Sequence, residues 1–125
     1  MRTFLAFLTF SLLLAPALNA QDVRFFRIGT GGVSGTYYPI GGLIAGIISN
    51  PPGSRSCEKG GSCGVPGLIA TAQSSHGSVA NVEAVASGAF DSGFAQSDIA
   101  YWAYNGTEIY EGSPGIANLR AIASL

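Results

Sequence analysis

The order of apolar and polar positions predicts two strands and a helix in the first half of the chain. Val23 to Ile28 is apolar and aromatic with arginines between, and Leu68 to Gln73 is a second short apolar run, so both predict β-strands. Between these runs, apolar residues recur at helical spacing and predict a helix with one apolar stripe. The stripe consists of Ile40, Leu43, Ile44, Ile47 and Ile48. Thr36 is placed to cap the start of this helix, and the run Asn50 to Gly53, with its two prolines, ends it.

The second half of the chain repeats the same strand–helix order. A helix that ends at Gly88 is predicted from apolar residues at helical spacing, namely Val79, Val82, Val85 and Ala86. Phe90 to Ala95 predicts a third strand, Ile99 to Tyr104 a further helix, and Leu119 to Leu125 a last strand. This order indicates an α/β fold with a parallel sheet and flanking helices. Because a buried parallel strand needs neighbours and covering helices, we expect a chain that stops in one to be part of a larger domain.

The N-terminal segment differs from the rest of the chain. Arg2 is followed by an almost unbroken apolar run from Phe4 to Leu14, and Pro16 lies between small residues just beyond it. The run is short for a membrane span, so residues 1–20 are predicted to be a signal peptide that is cleaved on export to the periplasm. An uncleaved membrane anchor is the alternative. After cleavage, the mature chain is not expected to span a membrane.

Composition narrows the possible partners. The 125-residue chain has 10% charged residues, a formal net charge of −1 and no basic cluster. Nucleic acid is therefore not expected as a partner, because phosphate binding needs concentrated Lys and Arg. Cys57 and Cys63 flank a short glycine-rich segment, and in an oxidising compartment this spacing favours a disulfide between them. Two cysteines with the distant His76 fall short of a zinc site, so no metal is predicted.

Three predicted strand-to-helix junctions carry small polar residues. In open parallel sheets, ligands bind beyond the carboxyl ends of the strands, where helix N-termini offer free N–H groups and partial positive charge. Such an edge suits a carboxylate. The candidate ligand-binding residues are Thr30, Gly31, Gly32, Ser34, Thr36, Tyr37, Ser78, Asn81, Gln96, Ser97 and Asp98. Turn and capping chemistry is the alternative for any one junction alone, and three together favour a binding site.

Nucleotide binding and catalysis fit the sequence less well. The glycine-rich run from Gly29 to Gly35 lacks the Lys and Ser or Thr that complete a phosphate-binding loop, and Ser34 stands where a dinucleotide motif needs its third glycine. His76 is the single histidine, and the sequence has no G-x-S-x-G elbow. The chain is therefore predicted to be a binding protein without a cofactor and not an enzyme. A nucleotide-binding enzyme fragment is the weaker alternative.

Several segments resemble the TAXI-family solute receptors of TRAP transporters. The most specific of them is the run from Ile28 to Pro39, which reads IGTGGVSGTYYP. Further similar segments are Gly77 to Asn81, Ala86 to Asp91, Ala95 to Tyr101 and Tyr104 to Gly106. These segments follow one another in order across essentially the whole mature chain. The insertion around Cys57 and Cys63 looks like a subgroup feature.

The resemblance implies a type II periplasmic-binding-protein fold, in which two α/β lobes close on a solute. Residues 21–125 would then be the N-terminal part of the first lobe, without the second lobe. It also implies that a small polar or carboxylate solute, such as glutamate or another amino acid, is passed to a TRAP-type membrane permease. The residues of the three junctions would contact that solute. An extracytoplasmic sensor module of a signalling protein is the alternative outside transport.

Overall fold

The computed structural model describes residues 22–125, so the predicted signal peptide (residues 1–20) lies outside the described residues. The strands are β1 (Arg24–Gly29), β2 (Ser49–Asn50), β3 (Val65–Pro66), β4 (Leu68–Gln73) and β5 (Ser92–Gly93). The α-helices are α1 (Tyr37–Ile48), α2 (Ser78–Ala86) and α3 (Ser97–Asn105), and short 3₁₀ turns span Cys57–Lys59 and Glu108–Tyr110. No helix in this described part of the chain has the length and apolar character needed to cross a bilayer.

The main sheet is parallel and has the strand order β4-β1-β5. β1 pairs with β4 over its whole length, from Arg24 opposite Leu68 to Gly29 opposite Gln73. On its other side, β1 pairs with β5 only at its last two residues. A parallel sheet with helices between its strands confirms the predicted α/β fold, and it corresponds to a partial periplasmic-binding-protein-like lobe.

Glycines allow the helices to lie unusually close to the sheet. α1 packs mainly against β4 and buries Gly41 and Ala45. A Cβ atom on Gly41 would lie 2.5 Å from Thr30 Cγ2, so only glycine fits there. α2 packs against β5, and a Cβ on Gly93 would lie 2.9 Å from the Cβ of Asn81. These close approaches hold the starts of the helices against the carboxyl ends of the strands.

The predicted apolar stripe of α1 is wrong in part. Leu43 and Ile47 are 68% and 72% exposed, whereas the small residues Gly41 and Ala45 form the buried contact. α1 is apolar on nearly all sides, so the spacing of its large residues does not define the packed side. The side of α1 that packs against the sheet is instead the one on which the helix backbone can approach the sheet most closely.

Two predicted strands also differ from the structure. The third strand, predicted over Phe90 to Ala95, is reduced to Ser92–Gly93, because only these residues pair with the end of β1. Leu119 to Leu125 forms no strand, and Ile122 and Leu125 are 83% and 82% exposed. A strand needs a neighbour to satisfy its backbone groups, and none of the strands described here pairs with this segment.

The disulfide between Cys57 and Cys63 is confirmed, with a Cα–Cα distance of 4.7 Å. Its loop lies between β2 and β3, next to the amino ends of the main strands. Gly67 donates its N–H to the carbonyl of Asn50 and accepts one from Arg24, the first residue of β1 (2.9 Å each). The disulfide loop is therefore at the end of the sheet opposite the three strand-to-helix junctions.

Candidate functional site

The three strand-to-helix loops meet at the carboxyl edge of the main sheet. They are residues 30–36 after β1, residues 74–77 after β4 and residues 94–96 after β5, and each leads into a helix. Parallel strands bring these loops to one edge, which is where α/β folds bind ligands. All of the candidate ligand-binding residues predicted from the sequence lie on these loops or on the first turns of the helices that follow.

The loop after β1 is bonded directly to the loop after β4. Thr30 is fully buried, and both its N–H and its hydroxyl donate to the carbonyl of Gln73, at 2.9 and 2.7 Å. Gly31 accepts two hydrogen bonds through its carbonyl, from the Ser74 hydroxyl at 3.1 Å and from the Ser75 N–H at 3.2 Å. The predicted contact Thr30 thus lies beneath the surface, and its side chain fixes the two loops to each other.

Asn81 joins all three loops through one buried side chain. It is 1% exposed, and its Nδ2 donates to the carbonyl of Thr30 at 2.6 Å and to that of Phe94 at 2.8 Å. Its Oδ1 lies 2.7 Å from the Ser75 hydroxyl, which also accepts the N–H of Gly77. Every polar atom of this side chain has a partner inside the protein, which is what a buried amide requires. Asn81 therefore acts as a support of the edge and offers no free donor at its surface.

Two further contacts join the starts of the helices. The Ser78 hydroxyl, on the first residue of α2, accepts the N–H of Gln96 at 3.0 Å, next to the start of α3. The ring of Tyr37, on the first residue of α1, stacks on Phe94 with centroids 5.1 Å apart. The N-termini of all three helices therefore lie around one small area.

None of these N-termini is capped by a side chain of its N-cap residue, which is Thr36, Gly77 or Gln96. Thr36 precedes α1 as predicted, but its backbone is helical (φ −67°, ψ −36°) and its hydroxyl makes no capping bond. N–H groups in these first turns are left for water or a solute. At α3, the Asp98 carboxylate accepts the Ile99 N–H at 2.8 Å and places a negative charge at the edge.

The predicted residues differ in how far they reach the surface. Gly32, Ser34, Thr36, Gln96, Ser97 and Asp98 are exposed, Gly31, Tyr37 and Ser78 are half-buried, and Thr30 and Asn81 are buried. Sequence reasoning missed Ser75 and Phe94, which connect the loops through Asn81. A serine among other polar loop residues carries no signal that distinguishes it, whereas an Asn in the middle of an apolar helix is a recognisable sign of a specific partner.

Two cavities of the described residues lie away from this edge. Open cavities of about 380 and 640 Å³ flank the disulfide end, and Ser54 lines both of them. Glycine and proline make up most of the wall of the smaller cavity, and the larger one lies against the disulfide loop and the end of α1. Within residues 22–125, no group of three or more His, Cys, Asp or Glu side chains is arranged to hold a metal ion.

The sequence model of one protein family matches residues 28–125, from the end of β1 through all three loops. This is the NMT1-like family. The chain belongs to the NMT1-like family. NMT1-like proteins are periplasmic solute-binding-like proteins, and they are binding proteins rather than enzymes. They are typically extracytoplasmic and have a small-molecule ligand and a membrane transporter as partners.

Proposed function

We propose that this chain belongs to a periplasmic receptor of the TAXI type that captures a small polar or carboxylate solute, glutamate or a related compound, for a TRAP-type secondary transporter. In this proposal, residues 1–20 are a signal peptide removed on export, and residues 21–125 are the N-terminal part of the first lobe. A second lobe closes over the solute. The receptor binds and releases the solute without chemical change.

The observation that carries this proposal is the joining of three loops by Asn81 at the carboxyl edge of the sheet. Its hydrogen bonds to the carbonyls of Thr30 and Phe94 and its contact with Ser75 fix the loops relative to one another before any solute arrives. Pre-organisation of this kind lowers the entropic cost of binding. Membership of a solute-binding family supports the same interpretation.

The geometry suggests how an anionic head is held. The first turns of α2 and α3 are next to each other, because the Ser78 hydroxyl accepts the Gln96 N–H. Each helix N-terminus stabilises a nearby anion by about 0.3–1 kcal/mol, and more where water is excluded. The exposed glycine loop beside them adds backbone groups: a Cβ on Gly32 would have no neighbour within 4 Å, so a solute can approach this backbone closely.

The first experiment measures binding directly. Trp102 lies in α3, about one turn from the start of that helix, so we expect its fluorescence to change when a solute binds at the edge. The full chain is titrated with glutamate, apolar amino acids, monocarboxylates, dicarboxylates and oxoacids, and the melting temperature is followed in parallel. If no member of the panel changes either signal, the proposal is wrong.

A charge variant tests whether the edge itself binds the anion. Ser97→Glu puts a carboxylate at the exposed first residue of α3, where the helix dipole tolerates it, so folding is expected to be retained. The added charge should repel the solute and lower its affinity by about tenfold or more. Ser56→Glu makes the same change at an exposed position beside the disulfide and should leave the affinity unchanged. Equal effects of the two variants would contradict the proposed site.

A further inference from the structure

The polar edge also exposes apolar side chains that nothing in the described chain covers. Val33 in the glycine loop is 67% exposed, Val79 on the second residue of α2 is 37% exposed, and Tyr101 on α3 is 64% exposed. Single exposed apolar residues are common on protein surfaces. Here, however, each one lies next to a residue predicted to contact the solute: Val33 beside Ser34, Val79 beside Ser78, and Tyr101 one turn after Ser97.

The direction of helical side chains brings Tyr101 towards the edge. In an α-helix, side chains point back towards the N-terminus and cover the preceding turn. Tyr101 is therefore on the same side of α3 as Ser97, one turn further along the helix. Val79 belongs to the first turn of α2, which is bonded to the start of α3 through Ser78 and Gln96. Two exposed apolar residues are thus within the first two turns of α2 and α3, whose N-termini are joined.

The negative charge of Asp98 at the edge repels a second carboxylate on the solute. Asp98 is exposed, and its Oδ1 accepts the N–H of Ile99, which keeps the carboxylate at the start of α3. A solute with one anionic head can place that head at α2 and the glycine loop, away from Asp98. The second carboxylate of a dianion would lie near Asp98 or against the apolar groups, and both are unfavourable.

We infer that the solute is amphiphilic, with one anionic head and an apolar body, and that Val33, Val79 and Tyr101 select for that body. This inference rests on the proposed function and narrows its solute class. Monocarboxylates with an aliphatic or aromatic body fit the edge, and so do apolar amino acids. Glutamate and other solutes with two carboxylates fit it less well.

A matched pair of ligands tests the inference. Hexanoate and adipate have the same number of carbons and differ only in whether the far end is a methyl group or a carboxylate. Calorimetry on the full chain should show hexanoate binding tighter than adipate by about tenfold or more, since an apolar contact is gained and a charge repulsion is avoided. Norvaline and glutamate provide the same comparison for amino acids.

Variants then test the residues. Val79→Ser and Val33→Ser, at exposed positions, should each weaken hexanoate binding several-fold and leave adipate binding nearly unchanged. Ile47→Ser, on the exposed side of α1, is the control and should change neither affinity. If adipate or glutamate binds as tightly as its apolar counterpart, or if the valine variants do not discriminate, the inference fails and the proposed function stands. If no carboxylate binds, both fail.

Discussion

At the scale of single residues, a buried polar side chain must find its partners inside the protein, and Asn81 finds them in three different loops. The amide donates hydrogen bonds to the backbone carbonyls of Thr30 and Phe94, which would otherwise need water molecules as donors. The arrangement connects stability to the geometry of the candidate site, because the same hydrogen bonds that satisfy the buried groups also set the spacing of the loops. Removing the amide should therefore affect both.

Asn81→Ala should destabilise the fold by about 1–3 kcal/mol. The Ser75 hydroxyl lies 3.0 Å from the Thr30 carbonyl and can still donate to it. The main loss is therefore the hydrogen bond from Asn81 to the buried carbonyl of Phe94. Urea unfolding followed by circular dichroism measures the change. Ser87→Ala, at the exposed end of the same helix, is the matched control and should cost less than about 0.5 kcal/mol. An equally small effect of Asn81→Ala would mean that water replaces the amide at no cost.

The pair Arg27–Asp91 gives a pH-dependent contribution to stability. Hydrogen bonds from the Arg27 side chain and then from its backbone N–H, at 3.1 and 2.8 Å, hold the pKa of Asp91 below its ordinary value of 3.8. A lowered pKa in the folded state means that the contribution is present above about pH 3.8 and is lost as the pH falls through the folded-state pKa. Both side chains are partly exposed, so the contribution is about 0.2–1 kcal/mol.

Asp91→Asn tests this dependence. Its urea midpoint should be lower than that of the unchanged chain at pH 6, and this difference should shrink as the pH is lowered below 3.8 to pH 2.5, because protonation of Asp91 in the folded state removes the charged pair. Asp22→Asn, at an exposed carboxylate with no ion pair among the residues described, should show no such convergence because there is no difference to lose. A constant difference at both pH values would show that the backbone bonds of Asp91, and not its charge, carry the effect.

The residues of the candidate site could be predicted from the sequence better than their roles. The polar junctions are predicted to share one edge and they do, because the carboxyl ends of parallel strands lie at the same edge of a sheet. The roles of Thr30 and Asn81 depend on which side of α2 and β1 turns inwards, and the sequence does not determine that. The α2 pattern of Val79, Val82 and Val85 suggests one buried stripe, yet Asn81 and Val82 are buried and Val79 is partly exposed.

At the scale of elements, β1, β4 and the three helices could be predicted closely, because each has apolar residues at the spacing of its type and a glycine or proline at or just beyond at least one end. β5 could not, since two residues at the end of β1 determine its length. The predicted strand from Leu119 to Leu125 has the right composition but no partner strand among the residues described. Whether a strand forms, and how long it is, depends on the strands beside it, so local composition alone does not predict either.

The glycines of α1 provide a direct test of how closely this helix approaches the sheet. Gly41→Ala should destabilise the fold by about 1–3 kcal/mol, because the new Cβ would lie 2.5 Å from Thr30 Cγ2 and 3.3 Å from the Phe94 ring. Gly42→Ala is the matched control on the next residue, where a Cβ meets nothing within 4 Å. It should stabilise the helix by up to about 1 kcal/mol. Thermal unfolding of the two variants should thus shift in opposite directions, and shifts of the same sign would contradict the packing of α1.

At the scale of the whole molecule, the two ends of the sheet differ in structure. The carboxyl edge presents the loops joined by Asn81, whereas the amino end has the disulfide loop, the short strands β2 and β3, and the open cavities. The ends are connected by β1, β4 and α1. Because the disulfide loop and the candidate site lie at opposite ends of the sheet, a change in the disulfide loop is expected to alter stability without altering the candidate site.

The double variant Cys57→Ser with Cys63→Ser tests this separation. The disulfide closes a short loop with a sequence separation of 6, so its loss should cost about 2 kcal/mol through the larger entropy of the unfolded chain. A reducing agent should lower the melting temperature of the unchanged chain by a similar amount and leave the variant unaffected. The carboxylate that binds the unchanged chain should bind the variant with the same affinity, measured well below its melting temperature. A parallel fall in affinity would show that the disulfide loop positions the helix starts through α1, and the two ends would then have to be treated as one unit.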